Sequence, residues 1–241
     1  MSRARELTTR TGEHFNHDEL PLFFVGDLDA PLVLVHLNPK QMNNSAATAT
    51  RPLPVESFEA YFDGCRHFGA RMYGADSPRE HRSQFDHKQI LFLEPFGAID
   101  FIREHGREDR FVNLERAIDH KLQLELIPYG SASFSGRGLT RKLLQPHYGR
   151  IMSTIAAAPR NYVIFCGAVF GQLLSPYVEE EHAFPLTKVD GNPTQHTYRF
   201  ANLRLPYGDT EITAGLAYSF AQQGIPMRAY AEKVRELYRS A

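Results

Sequence analysis

The chain is expected to fold as an α/β protein, a central, mostly parallel four-stranded sheet held between helices in a three-layer α/β/α sandwich. Three observations lead there. The run 31–40, Pro-Leu-Val-Leu-Val-His-Leu-Asn-Pro-Lys, is continuously apolar and stops abruptly at Asn38-Pro39, as a strand buried on both faces does when it hands over to a loop. Similar runs follow at 88–95, 122–129 and 161–167, and 197–206 reads as a last strand. Between them lie stretches with apolar residues at helical spacing, and strands alternating with helices imply a parallel sheet covered on both sides.

Taken in order, 31–40 is the first strand and 55–68 the first helix. The segment 88–95, Lys-Gln-Ile-Leu-Phe-Leu-Glu-Pro, suits either a short strand or the approach to a helix. A helix over 111–120 precedes a strand at 122–129, which alternates and breaks at Pro128. The next helix, 146–157, places Tyr148, Ile151, Met152 and Ile155 on one face. The strand 161–167 closes on Gly167, and a helix over 169–177 follows. Asp190-Gly191 suits a tight hairpin turn, and 197–206 is the last strand. Thr213 is placed to cap a helix that Gly224 ends, and a final amphipathic helix carries Tyr230, Val234 and Leu237. The long irregular stretches, 40–54 and 73–88, are candidates for function, as long loops in compact domains often are.

A length of 241 residues with 42% hydrophobic content fits one domain, with its core over about 20–225 and a C-terminal helix at 226–240. With 27 basic against 28 acidic residues the chain is no polycation, yet a local basic face can hide in a balanced total, so nucleic-acid binding stays open. Two cysteines, Cys65 and Cys166, cannot build a four-thiolate zinc or iron–sulfur site. No metal and no cofactor are expected, and the setting is expected to be a reducing cytoplasm. The N-terminus has early charges with no apolar stretch behind them, and no run approaches the roughly 18 apolar residues of a membrane span.

Open parallel sheets bind ligands beyond the carboxyl ends of their strands, which directs attention to Asn38-Pro39, 125–129, Gly167 and 206–209. Neither GxxxxGK[ST] nor GxGxxG follows the first strand, so nucleotide-dependent kinases and dehydrogenases have little support.

Three motifs carry a resemblance to a known family. His36-Leu-Asn-Pro-Lys40 is similar to the Gly-hydrophobic-Asn-Pro-Gly motif of the mismatch-type and single-strand-selective branches of the uracil-DNA glycosylase superfamily. Glu125-Leu-Ile-Pro-Tyr129 stands where those branches carry an Asn-containing strand end that reads the base, and Val163-Ile-Phe-Cys-Gly-Ala168 resembles the strand-to-helix step that follows. The resemblance spans about residues 20–225 and implies a monomeric, monofunctional glycosylase that flips a base out of single- or double-stranded DNA and hydrolyses its N-glycosidic bond.

Carried over position by position, Asn38 orients the attacking water, Pro39 stiffens its loop and Glu125 reads the base. An amide is a weak base, but cleavage through an oxocarbenium-like sugar needs little nucleophilic push. His36 and Lys40 replace two glycines of the family pattern. His36 is either a proton donor to the leaving base or a core residue, and Lys40 is a candidate phosphate contact. Glu125 replaces the Asn that pairs with uracil. A carboxylate only accepts, which fits the exocyclic amine of cytosine, and a buried Glu can also be an acid. A surface ion pair is the alternative for it. The expected substrate is therefore a cytosine derivative; the resemblance, which extends to divergent members of the superfamily that act in phage defence, implies glucosylated hydroxymethylcytosine of phage DNA as one such base, and phage defence or repair as the role.

The family's late His-Pro-Ser loop is missing. Leu205-Pro-Tyr-Gly-Asp209 stands at its expected place, with Tyr207 as leaving-base partner, duplex wedge or simple turn packing. Phe68 is the candidate stacking platform, with Phe58, Phe62 and Tyr73 as competitors, and Tyr129 and Pro39 line the base site. Arg137, Arg141 and Lys142, in a glycine-rich loop after Ser131, Ser133 and Ser135, are expected to follow the DNA backbone unless the loop is merely solvated. A uracil-specific repair enzyme, a non-catalytic binder with this fold and a serine hydrolase remain as other readings, the last without a G-x-S-x-G elbow.

Overall fold

A computed structural model describes residues 2–12, 14–16, 20–37, 39, 56–77, 84–131, 139–187 and 191–239. Asn38, Lys40, Arg137, Ser133 and Ser135, the whole 40–54 loop and part of the 73–88 segment lie outside the described residues.

The elements run α1 (Ser2–Thr11), β1 (Phe24–Gly26), β2 (Leu32–His36), α2 (Phe58–Arg66), α3 (Phe68–Tyr73), α4 (Gln84–Leu93) and α5 (Arg107–Asp119). They continue with β3 (Leu122–Glu125), α6 (Arg141–Ala156), β4 (Tyr162–Cys166), α7 (Ala168–Leu174), β5 (Val178–Thr187), β6 (Pro193–Tyr207), β7 (Thr210–Ala217) and α8 (Met227–Leu237). Among the described residues the sheet has seven strands in the order β1-β3-β2-β4-β7-β6-β5. It is mixed, and larger than the four-stranded sheet expected. Pairing is parallel from β3 through β2 and β4 to β7, while β1, β6 and β5 join antiparallel.

Residues alternate between two cores. Leu32 and Leu34 of β2 pack with Ile90 and Phe92 of α4, Phe111 and Leu114 of α5, and Tyr230 and Val234 of α8. Val33 and Val35 face the other way, toward Leu7 of α1, Cys65 of α2, Ile151 and Met152 of α6, and Phe170 of α7. All five residues of β2 are buried, which is why its sequence lacks the polar alternation of a half-exposed strand.

One open alternative is decided and one expectation is corrected. Of the two states open to 88–95 the helical one holds: α4 runs into a 3-10 turn at Glu94–Phe96, with Pro95 inside it and Gly97 at φ 64 ending it. The helix expected from Thr213 to Gly224 is instead β7, the fourth parallel strand. A two-residue turn, Gly208-Asp209, folds the chain back so that Tyr207 pairs with Thr210. Gly208 supplies the positive φ of 58 that such a turn requires. The β-branched Thr210, Ile212 and Thr213 then extend along β6, and pairing overrides the capping signal at Thr213. The run 197–206 is accordingly part of the antiparallel strand β6 and not the last strand, which is β7.

Other boundaries follow local chemistry. Ser57 caps α2 by accepting from Ala60 N at 3.0 Å, and Thr140 caps α6 by accepting from Leu143 N at 3.2 Å. The cap starts α6 five residues ahead of the expected Pro146, which the helix accommodates internally.

The tightest backbone approach is at Gly26, whose φ is 90. A Cβ there would sit 2.0 Å from Lys121 O and 2.4 Å from Ile118 O. This approach lets Asp27 N donate to Lys121 O at 3.0 Å and seats β1 against the start of β3. Gly26→Ala is expected to destabilise the fold by at least about 3 kcal/mol, since it combines a left-handed conformation with a backbone collision. Urea denaturation measures it; a loss below about 1 kcal/mol would contradict this packing.

Candidate active site

The site begins with register. His36 and Glu125 are the last residues of β2 and β3, and parallel pairing sets them directly opposite each other. Their side chains leave the same face, toward the core of α4, α5 and α8. Pairing continues past the strands: Leu126 N donates to His36 O and Ile127 N to Leu37 O, each at 2.8 Å, and Ser131 N donates to Pro39 O at 3.2 Å. The exit of β3 is thus zipped along the exit of β2. From the opposite face Arg150 of α6 clamps this corner, donating to Glu125 O at 2.5 Å and to Phe23 O at 3.3 Å, with its guanidinium 4.9 Å from the Phe23 ring centre.

Glu125 is only 2% exposed. Its Oε1 accepts from Gln123 Nε2 at 2.7 Å, while Oε2 is buried without a hydrogen-bond partner. Burial pushes its carboxyl pKa up to about 8, against smaller opposing effects of Gln123, Lys121 and Arg150. At neutral pH the carboxyl therefore holds a proton. A surface ion pair, the alternative for this residue, does not occur.

His36 takes the opposite charge logic to the same result. Burial, and then the nearby Lys121 cation, push its pKa down to about 3, so the ring is neutral. Its Nε2 is likewise buried and unpartnered. Phe85 and Phe220 meet the imidazole edge-on, with centroids 5.2 and 5.3 Å away. A neutral imidazole is a poor acid, so the ring does not fit the proton-donor role considered for His36.

Phe220 arrives from the exit of β7. Lys88 of α4 holds that exit by donating to Phe220 O at 2.9 Å and to Gln222 O at 2.7 Å. Gly167, at the exit of β4, donates to Ala217 O at 2.9 Å, and the Cβ of Ser219 lies close to it. Cys166, the last residue of β4, is buried on the Glu125 face; burial and then Glu125 push its thiol pKa well up, so it is no thiolate nucleophile. Phe85 and Phe220 escaped the sequence reading because neither stands in a motif and both reach His36 only through tertiary packing.

The remaining predicted residues divide sharply. Pro39 lies beside the segment that leaves β3, its carbonyl accepting from Ser131 N. Tyr207 is not: β6 runs antiparallel to β7, and the pairing of Tyr207 with Thr210 puts it at the amino end of the parallel strands. The Ala217 end, where Cys166 and Gly167 lie, is two turns of strand pleat and more away. Phe68 is not either. It opens α3 next to Gly69 and Ala70, whose N–H groups donate to Asp119 at 2.5 and 2.9 Å, and Asp119 lies just before the start of β3. Among its competitors, Phe58 is 73% exposed and stacks on Phe62, which packs on Phe24, while Tyr73 is spent on a 2.6 Å bond to Asp86. Tyr129 is buried in the core on the other face of the sheet from the Glu125 carboxyl.

Arg141 and Lys142 are exposed in the first turn of α6, which connects two parallel strands and so starts at their carboxyl end. Arg141 donates to the Tyr177 hydroxyl at 2.7 Å and stacks on its ring. Ser131 is buried and its N–H is committed to Pro39 O. Among the described residues no His, Cys, Asp and Glu group could hold a metal ion, and no helix is long and apolar enough to cross a membrane.

Because Glu125 carries a raised pKa, the native state retains a proton that the unfolded chain gives up above the ordinary value of 4.5. Its contribution to stability is complete below that pH and is lost as pH rises to about 8, at up to about 1.4 kcal/mol per unit. His36 acts in the reverse sense, losing stability as pH falls below 6.5. Glu125→Gln removes the first effect alone, so its stability relative to wild type is expected to rise by on the order of 2–4 kcal/mol between pH 5 and pH 8. Urea denaturation at both pH values checks this, and an unchanged difference would contradict it. No family model matches the chain, and no curated protein or solved structure matches it, so a function must be argued from these residues and their geometry.

Proposed function

We infer that the chain is a metal-free DNA glycosylase with the three-layer α/β/α fold of the uracil-DNA glycosylase superfamily, acting on a flipped cytosine derivative. The observation that carries this reading is Glu125: a protonated carboxyl at the carboxyl end of a central parallel strand, one oxygen held by Gln123 and the other buried with no partner. A buried polar atom without a partner costs on the order of 1–3 kcal/mol, which a fold retains where a ligand supplies the missing bond.

The chemistry asks for such a group. Cytosine leaves poorly as an anion, so a proton must reach the base as the bond from C1′ to N1 breaks. Glu125 donates that proton from Oε2, and the departing base leaves neutral. Water oriented by Asn38 adds to the oxocarbenium-like sugar, its proton returns to the Glu125 carboxylate, and an abasic site remains. His36 stays neutral beside the acid and offers hydrogen bonding without charge. Phe85 and Phe220 replace Phe68 as the aromatic walls that would restore stacking to an extruded base. Of the three rings, Phe85 alone is partly buried, and its displacement is the simplest entry for a ligand.

The fourth parallel strand changes one assignment within this reading, and the loop that follows it also lacks a His-Pro-Ser sequence. With β7 in that position, the place of the family's His-Pro-Ser loop falls to Tyr218-Ser-Phe-Ala-Gln-Gln-Gly224 instead of 205–209. Ser219 and Phe220 then take the positions assigned to Tyr207 from the sequence. Lys40, Arg137, Arg141 and Lys142 remain the proposed backbone contacts, and glucosylated hydroxymethylcytosine of phage DNA the proposed target.

Oligonucleotides carrying uracil, cytosine, hydroxymethylcytosine or its glucosylated form, followed by alkali cleavage, test the assignment. Asn38→Ala is expected to abolish base release while DNA still shifts in gels. Glu125→Gln is expected to lower release of cytosine derivatives by about 100-fold or more, the usual contribution of a general acid. Activity on uracil alone that ignores Glu125→Gln would overturn the reading, and so would a DNA shift with every base left uncut, which would mark a binding protein.

A further inference from the structure

Glu125 does not stand alone on β3. Lys121, Gln123 and Glu125 sit at alternate positions, and hydrogen bonds join them in a row along one face of the sheet. Lys121 Nζ donates to Gln123 Oε1 at 3.1 Å, and Gln123 Nε2 donates to Glu125 Oε1 at 2.7 Å. An ammonium has only hydrogens to give, so the atom facing Lys121 must be the amide oxygen. The amide therefore cannot turn over, and its NH2 must face Glu125.

Lys121 is wholly buried, a costly place for a cation. A side chain needed only to fill that space would be apolar. Groups facing the row from other elements are Asp86 of α4, Asp119 of α5, Cys166 of β4 and His36 of β2, and Arg150 of α6 acts on it from behind the sheet.

We propose that Lys121 and Gln123 are positioning residues that lock the Glu125 carboxyl, committing Oε1 to the protein and presenting Oε2 to the bound base. This rests on the reading that Glu125 faces the base. Its consequence is selectivity through one atom. With Oε1 accepting from Gln123, the carboxyl proton resides on Oε2. A base with a lone pair on its pairing-edge ring nitrogen, as cytosine derivatives have at N3, accepts that proton. Uracil and thymine oppose it with an N3–H, and two donors then face each other without an acceptor. Without the lock the carboxyl turns freely and offers its acceptor oxygen to N3–H, so discrimination falls.

The test uses Gln123→Leu and Lys121→Met, with Lys121→Arg as the conservative control. Carbon-13 NMR of the glutamate carboxyls, assigned with Glu125→Gln, follows the titration of Glu125 in the free protein. Both Gln123 and Lys121 favour the carboxylate, so each of the two disabling variants is expected to raise the Glu125 midpoint by about one unit, and Lys121→Arg to restore most of it. In parallel, preference for cytosine derivatives over uracil-type bases is expected to fall about tenfold, with DNA affinity in gel shifts unchanged. An unmoved midpoint and unmoved preference in folded variants would overturn the proposal. Absence of base release by the wild type would sink the glycosylase reading alone, because the titration needs no substrate and still decides whether the row governs Glu125.

Discussion

Parallel pairing of β2 with β3 is the constraint on which the site depends. It fixes His36 opposite Glu125 and turns both side chains to the same face at the carboxyl edge of the sheet. A slip of one residue would send either side chain into the opposite core. The register is held from below by the close approach of Gly26 to the Lys121 carbonyl and from above by the bonds that zip 126–131 to 36–39. Arg150 adds a third fastening by holding the backbone carbonyl of Glu125 from the far layer. Each fastening acts on the backbone, so the side chains at the edge are free for chemistry.

The same arrangement burdens stability. A lysine, a glutamate, a glutamine and a histidine occupy a sheet face whose neighbouring residues include Leu32, Leu34, Ile164 and Cys166. Burial neutralises the histidine and protonates the glutamate, and the lysine retains part of its charge through the nearby Asp86 and Asp119. Two buried atoms, His36 Nε2 and Glu125 Oε2, go without partners. Apolar residues there would give a more stable protein, so the polar row makes sense as a functional site held at a structural cost.

Much of this was legible in the sequence, for local reasons. The runs at 31–40 and 161–167 read as buried strands because strands with neighbours on both sides and helices on both faces lose polar alternation, and 122–129 read as a strand by its alternation up to Pro128. His36 and Glu125 stood out because each falls in a motif that resembles a family strand end and departs from it, and the observed strands β2 and β3 end at these residues. The rest depended on long-range partners. Thr213 looked like a helix cap because only pairing with β6 makes 210–217 a strand, and that error carried Tyr207 to the wrong end of the sheet. Phe68 sat in a plausible motif, yet Asp119 anchors its helix at the amino end of β3. Phe85 and Phe220 lie 135 residues apart in sequence, with ring centroids 5.7 Å apart in space, and no local pattern announces that meeting. The short edge strand β1 and the hairpin strand β5 were missed because three residues and a glutamate run carry little periodicity.

The central claim is that Glu125 Oε2 meets a base between His36, Phe85 and Phe220. A crystal structure of the protein with an oligonucleotide containing an abasic site, together with the free cytosine derivative, measures it directly. The account predicts the ring nitrogen of the base at about 2.7–3.0 Å from Oε2, with Oε1 still bonded to Gln123. A base bound elsewhere, with Glu125 sealed beneath an unmoved Phe85, would contradict it.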